Sequence, residues 1–267
     1  MPKLPDGTSY ERTGPQNASS VVLIHGLGLN REVWQWMVPA LSDAYDVITY
    51  NLYGHGQSGV PPERPSLSLF SEQLVSLMAA LDVPDAVIIG FSLGGMICRR
   101  FAMDHPELAR ALVILNSPHR RTPEAQAAIL TRVDQAESQG PHATVEAALE
   151  RWFTDEYRAR NPDMMALVRH WVLANDPKIY PTIYRVLADG IDEITNPDIR
   201  LSLPTLAITA DQDYGNGPEM TKAIAEGVDG GTALILPGLR HMALAEDPDA
   251  VNTPVRAFLD QLSDQGA

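Results

Sequence analysis

The residues able to do chemistry in this chain are a serine in Gly90-Phe91-Ser92-Leu93-Gly94, the aspartates of Asp211-Gln212-Asp213, and His241. A serine hydroxyl is a poor nucleophile at neutral pH. It needs a base within hydrogen-bond reach and a carboxylate that orients the base, and the three together can attack a carbonyl carbon. Gly-x-Ser-x-Gly suits a forced turn between a strand and a helix, because a side chain at either glycine would collide where the two converge. The pattern alone is cheap, since roughly one chain in ten of this length would carry it by chance. The elements around it must therefore make the case.

Those elements alternate. Thr8 to Thr13 reads as an edge strand, and the unbroken apolar run Val21-Val22-Leu23-Ile24 as a strand covered on both faces. Apolar spacing predicts a helix over Glu32 to Asp43, a strand over Asp46 to Leu52, and a helix capped by Ser66. The strand Ala86 to Ile89 leads into the serine turn, whose helix stops before Pro106, and Ala111 to Leu115 is the next strand. Strand signals then vanish until Leu203, replaced by helical patterns over Glu124 to Ser138, Thr144 to Arg158, Asp163 to Ala174 and Lys178 to Ala188. Strands resume at Thr205 to Thr209 and Ala233 to Leu236, before a last helix from Asp249 to Leu262. The order predicts an α/β fold with a mostly parallel sheet. It also predicts a core over 1–117 and 204–267, with a helical cap over 118–203. In such sheets reactive groups gather at the carboxyl ends of strands. Those ends deliver His25-Gly26-Leu27, Tyr53-Gly54-His55, Ser92, Asn116, Asp211 with Asp213, and His241.

Composition narrows the function. A net charge of −14 over 267 residues repels phosphate backbones and anionic headgroups, so nucleic acid and membrane are excluded as partners. No apolar run has membrane-spanning length, and the N-terminus lacks a signal-peptide core, which predicts a cytoplasmic protein. Histidines do not fall at metal-ligand spacings, and no metal is expected. The Gly26-Leu27-Gly28 loop fails as a dinucleotide fingerprint because Arg31 stands where the third glycine belongs, so no cofactor is expected. Cys98 reads as a buried apolar residue. The oligomeric state is open, a homo-oligomer included.

With these residues in place the chain resembles the α/β-hydrolase superfamily along nearly its whole length: the His-Gly loop, Gly54-His55-Gly56-Gln57-Ser58, the serine turn, an insertion after the family's sixth core strand, and the late Asp and His. The segment Glu150 to Pro162 and the ending His241 to Pro248 make it similar to the enol-lactonase and carboxylesterase branch, 3-oxoadipate enol-lactonase included. The resemblance implies Ser92 as nucleophile, His241 as general base and then acid, and Asp213 as the residue holding His241. The family's spacing from Ala210 favours Asp213 over Asp211. The oxyanion hole it implies is the backbone N–H of Leu93 with that of Leu27. Relatives often carry an Asp and an Arg in the segment that here reads Asn51-Leu52-Tyr53-Gly54-His55-Gly56, so hydrogen bonds are expected to replace an ion pair.

The implied activity is hydrolysis of a small carboxylic ester or lactone without cofactor. C–C bond hydrolysis, perhydrolysis of the haloperoxidase type, and small-molecule sensing on the same fold are the alternatives. Trp34, Met96, Arg120, Trp152, Trp171 and Met242 are the expected substrate contacts, each with packing as its competing role. Arg120 and its neighbour Arg121 would either meet an anionic group or form a solvated hinge. His25 and His55 are expected to buttress loops beside the site.

Overall fold

A computed structural model describes residues 2–195 and 200–265. Its centre is a seven-stranded sheet in the order β1-β3-β2-β4-β5-β6-β7. The strands are β1 (Tyr10–Thr13), β2 (Ser20–Ile24), β3 (Asp46–Tyr50), β4 (Ala86–Phe91), β5 (Ala109–Leu115), β6 (Leu201–Ala210) and β7 (Val228–Leu236). Only β1 runs antiparallel to its neighbour, β3. The apolar runs of β2 and β4 lie side by side at the centre, where both faces are covered. The pleat divides each run. Val22 and Ile24 point into one core with Ile88 and Leu112, while Val21 and Leu23 point into the other with Val87 and Val113.

The helices of the first half are α1 (Met37–Leu41), α2 (Leu67–Ala80) and α3 (Leu93–Asp104). Ser66 caps α2, its hydroxyl accepting from Leu69 N at 3.0 Å. The single helix expected over Glu32 to Asp43 is instead a 3₁₀ turn, Arg31–Trp34, followed by α1. Pro39 explains the split, because it lacks the N–H a continuous helix would need there and is tolerated only in a first turn.

Between β5 and β6 come α4 (Pro123–Gln139), α5 (Val145–Trp152), α6 (Asp155–Arg160), α7 (Pro162–Leu173), α8 (Tyr180–Asp189) and α9 (Ile191–Thr195). Residues 196–199, inside the expected insertion, lie outside the described residues. The helix expected over Thr144 to Arg158 breaks at Phe153, which is extended, and Thr154 caps α6. The buried residues of the insertion do not form a core of their own: Ile129, Tyr180 and Ile183 join one sheet core, and Leu149, Phe153 and Trp171 join the other. In this sheet the insertion follows the fifth strand. Among the described residues the N-terminal edge carries β1 and the Lys3–Ser9 bridge, so the strand before the insertion is counted fifth here rather than sixth.

The last part adds α10 (Pro218–Glu226), α11 (Ala243–Glu246) and α12 (Pro248–Gln265). Both late strands are longer than their apolar runs. In β6 a register shift between Ser202 and Thr205 absorbs Pro204, which has no N–H to give the ladder. In β7 Gly231 lies against the Ala225 carbonyl, where a Cβ would not fit. Among the described residues no helix is long and apolar enough to cross a membrane.

Candidate active site

Ser92 sits between β4 and α3 with φ 56° and ψ −113°. Such backbone costs a residue with a side chain roughly 1–3 kcal/mol, and only surrounding structure can hold it. Here Ser92 N donates to Leu115 O of β5 at 2.8 Å, and Ser92 O accepts from Gly95 N at 3.0 Å. The flanking glycines are sterically required: a Cβ at Gly90 would fall on Gly94 O and Cys98 Sγ, and one at Gly94 on the Ile24 carbonyl. The turn thus packs against β2, and Ser92 keeps only 7% of its surface exposed.

The base and carboxylate arrive from the ends of β6 and β7. His241 Nδ1 donates to Asp213 Oδ2 at 2.7 Å, with both residues buried. That bond leaves Nε2 as the nitrogen free to accept a proton. Asp213 Oδ1 also accepts from Gly215 N at 3.1 Å and Asn216 N at 3.0 Å, and Oδ2 accepts from Asn116 Nδ2 at 3.0 Å. Burial opposes the charge on Asp213, but the neighbouring His241 and the hydrogen bonds from His241, Asn116 and Asn216 outweigh it. The carboxyl is held below its ordinary range. Asp211 is engaged elsewhere, accepting from Gly238 N at 2.8 Å.

Asn116, one of the groups at the strand ends, carries no charge but holds the carboxylate. It ends β5 with φ 47°, and its amide spans Thr209 and Asp213. Its place at a strand's carboxyl end, beside the strand that delivers the aspartate, was the available signal.

The Gly26–Gly28 loop is locked by two histidines. His25 Nδ1 donates to Gly26 O at 2.8 Å while its Nε2 accepts from Leu52 N at 3.0 Å. His55 Nδ1 donates to Tyr53 O at 3.2 Å while its Nε2 accepts from Gly28 N at 3.0 Å. Both rings must be neutral to make these bonds. Burial drives His25 far down, with the charge of His55 adding to it, and burial lowers His55 to about 4. Asn51 makes the hydrogen bonds expected in place of an ion pair, accepting from Arg31 N and donating to Ser9 Oγ, each at 2.8 Å.

A pH prediction follows from these rings. Between 6.5 and about 4 the unfolded chain protonates His55 while the folded chain does not. Stability therefore falls as pH drops through that window, by roughly 2–3 kcal/mol from His55 at the acid end. Urea melts at pH 7 and pH 4.5 should show the loss, and His55→Gln should remove the His55 share of it while leaving that of His25. An unchanged slope in His55→Gln would refute the assignment.

Ser92, Asp213 and His241 line one cavity with Gly26 and Leu27 of the locked loop. Its interior of about 90 Å³ is several times the ~10–15 Å³ one water requires. Comparison with known proteins bears on the fold that holds this cavity. Residues 19–137 match the family model described as alpha/beta hydrolase fold. The pimeloyl-[acyl-carrier protein] methyl ester esterase of Proteus mirabilis is 30% identical, over 77% of each chain. The chain belongs to the α/β-hydrolase family. The (E)-2-((N-methylformamido)methylene)succinate hydrolase of Acinetobacter baylyi is 29% identical over 90% of both chains, and 3-oxoadipate enol-lactonase 2 of the same organism 25% identical over 96% of this chain and 94% of that one. Among solved structures, the enol-lactonase of Burkholderia xenovorans superposes with a TM-score of 0.83 at 25% identity, covering 95% of this chain and 96% of that one.

Within this α/β-hydrolase the expected substrate contacts divide. Trp152 lines the cavity, its ring 6.0 Å from that of His241. Met96 and Met242 do not, being fully buried in the two cores. Trp34 and Trp171 face a separate surface cleft, where Trp171 Nε1 donates to Glu32 at 3.0 Å. Arg120 points away to Thr195 O, and Arg121 takes the place at the cavity. Closeness in sequence to the strand ends, or a place in the insertion, put these side chains near the site, but how each element packs decided which one entered it. Arg132, Arg151, Tyr180 and Tyr184 also line the cavity.

The histidine loop of this hydrolase is tied to the insertion. Glu246 accepts from Arg240 N at 2.7 Å, from Thr154 N at 2.6 Å and from Thr154 Oγ1 at 2.8 Å. Met242 N donates to Trp152 O at 2.8 Å. Glu246→Ala should strip two backbone N–H groups of their acceptor and cost roughly 2–3 kcal/mol in a denaturant melt. It should lower kcat more than it raises KM, because His241 lies next to the released Arg240. A variant with unchanged stability and kcat would show the tie to be dispensable.

Proposed function

We propose that this protein is a serine hydrolase that cleaves a small carboxylic ester or lactone through an acyl-enzyme. The observation that carries the reading is Ser92, held in a left-handed turn, sharing one cavity with the buried His241–Asp213 pair. Ser92 Oγ attacks the carbonyl carbon as its proton passes to His241 Nε2. The N–H groups of Leu93 and Leu27 hold the oxyanion. The C–O bond then breaks as His241 returns the proton to the leaving oxygen. Water, deprotonated by the same histidine, attacks the acyl-enzyme and frees the acid and Ser92. Asp213 keeps the imidazole in the tautomer that can accept, and stabilises the imidazolium.

The insertion, Ser117 to Leu203, acts as a cap over the strand ends and selects the substrate, in keeping with its supply of Trp152, Tyr180 and Tyr184 to the cavity. The enol-lactonases and the methyl ester esterase among the relatives support an oxygen leaving group. A fluorophosphonate should label Ser92 in the folded protein. A kcat/KM ranking of short esters, lactones, ring-fission diketones and acetate with peroxide tests the leaving group. No labelling would favour a sensor, and a diketone ranked first would overturn the ester assignment.

A further inference from the structure

The cavity carries more positive charge than the hydrolysis requires. Arg121 from the loop before α4, Arg132 from α4 and Arg151 from α5 all line it together with Ser92 and His241. Three permanent cations therefore face one anion, Asp213, whose own hydrogen bonds are already taken by His241, Asn116 and the Gly215 and Asn216 amides. Among the residues lining the cavity, arginines therefore outnumber carboxylates three to one.

Several arginines elsewhere face a carboxylate, Arg12, Arg100, Arg169, Arg185 and Arg256 among them, although buried Arg99 is held by the Gly95 and Pro118 carbonyls and the Ser117 hydroxyl. Among the described residues the three cavity arginines form no ion pair and are held by neutral groups instead. Arg121 donates to the Leu187 and Ala188 carbonyls and to Gln126, Arg132 Nε to Tyr184 Oη at 3.2 Å, and Arg151 to Ala147 O at 2.9 Å. Anchored this way, guanidinium N–H groups remain for a ligand. The arginines also feel one another. Burial lowers Arg121 to about 10 and lowers Arg151, and in both the charge of Arg132 adds to the effect. Asp189 draws on Arg121 and Glu150 on Arg151, but neither carboxylate lines the cavity, so an anion bound inside it would meet the arginines directly.

We propose that the substrate's non-reacting part carries two carboxylates, bound by Arg121, Arg132 and Arg151. The proposal rests on the ester or lactone hydrolase reading of the same cavity and names its substrate class. Guanidinium groups match carboxylates through paired N–H donors, and three of them on separate elements suit two separated anions rather than one compact dianion. Guanidinium groups pair with phosphate through the same donors, so it is the placing of the three arginines on separate elements that favours two separated carboxylates. Because the chain as a whole carries −14, long-range steering opposes such a ligand. Affinity must then come from these contacts.

The test begins with the unmutated enzyme. Glutarate should inhibit hydrolysis of p-nitrophenyl acetate with a Ki at least tenfold below that of butanoate or inorganic phosphate. Ethyl monoesters of propane-1,2,3-tricarboxylate should exceed ethyl butanoate in kcat/KM by about 100-fold. Arg132→Gln and Arg151→Gln should each reduce that ratio about tenfold, with circular dichroism reporting the fold. If either variant fails to fold, the unmutated ranking still decides. Equal inhibition by glutarate and butanoate overturns the proposal, as does phosphate matching glutarate. Calorimetry on Ser92→Ala separates the two readings. Glutarate bound there without any ester turnover by the parent enzyme sustains the subsite and sinks the hydrolase, whereas ester turnover without glutarate preference does the reverse.

Discussion

Ser92→Ala is expected to lower kcat on the preferred ester by roughly 10⁴ to 10⁶. In the proposed mechanism this removes the attacking oxygen, and neither the nearby thiol nor the nearby amides can replace it. Cys98 is fully buried in the core, and burial raises its thiol far above the usual range. Asn116 and Asn216 in the neighbourhood have no nucleophilic oxygen. The fold should survive, because alanine at φ 56° suffers the same backbone strain as serine, and the supporting bond uses the Ser92 N–H, not its hydroxyl. Residual binding and oxyanion stabilisation should leave KM nearly unchanged. Stopped-flow and steady-state kinetics with active-site titration are the measurement. Turnover within tenfold of the parent would remove Ser92 from the mechanism.

Asp213→Asn is expected to cost about 10⁴ in kcat. The amide has one acceptor and one donor where the carboxylate has two acceptors. Gly215 N and Asn216 N both donate to Oδ1, while His241 and Asn116 both donate to Oδ2. Either orientation of the asparagine amide therefore opposes donors to donors. With its NH₂ toward His241, the ring escapes by moving its proton to Nε2, which then cannot accept from Ser92. With its NH₂ toward Gly215 and Asn216, two backbone N–H groups lose their acceptor, at about 1–3 kcal/mol each. A fall in both kcat and melting temperature is the signature.

The parent enzyme carries a matching pH signal. The Asp213 carboxyl is held low in the fold, so its contribution is present above the unfolded value, 3.8, and is lost as pH falls through the depressed one. Asp213→Asn should lack that part of the acid transition. Wild-type kcat in Asp213→Asn would assign the carboxylate role elsewhere.

The elbow and the central strands were legible in the sequence because their constraints are local. Gly90 and Gly94 are required by collisions that strand and helix make within a few residues and with β2, and the β2 and β4 runs have no alternation because both faces are covered. Where a local rule met a tertiary override, the reading fell short. β6 continues through Pro204 by a register shift, and β7 through Gly230 and Gly231, because pairing between the two strands outweighs weak propensity.

The sequence by itself determined the order of elements, the serine turn and the small set of acids and bases at strand ends. It left Asp211 and Asp213 as neighbours on one turn. Only the fold gave Asp211 to Gly238 N and seated Asp213 among His241, Asn116 and two amides. The lining of the cavity was decided by tertiary structure altogether. Arg132 reads in sequence as a polar position on α4, yet α4 packs so that Ile129 and Arg132 face the same cavity as Arg121 and Arg151. Periodicity records which residues share a face of one helix. Which face turns inward, and which side chains from other elements meet it there, depends on how whole elements pack across the sheet, and that information is spread over residues far apart in the chain.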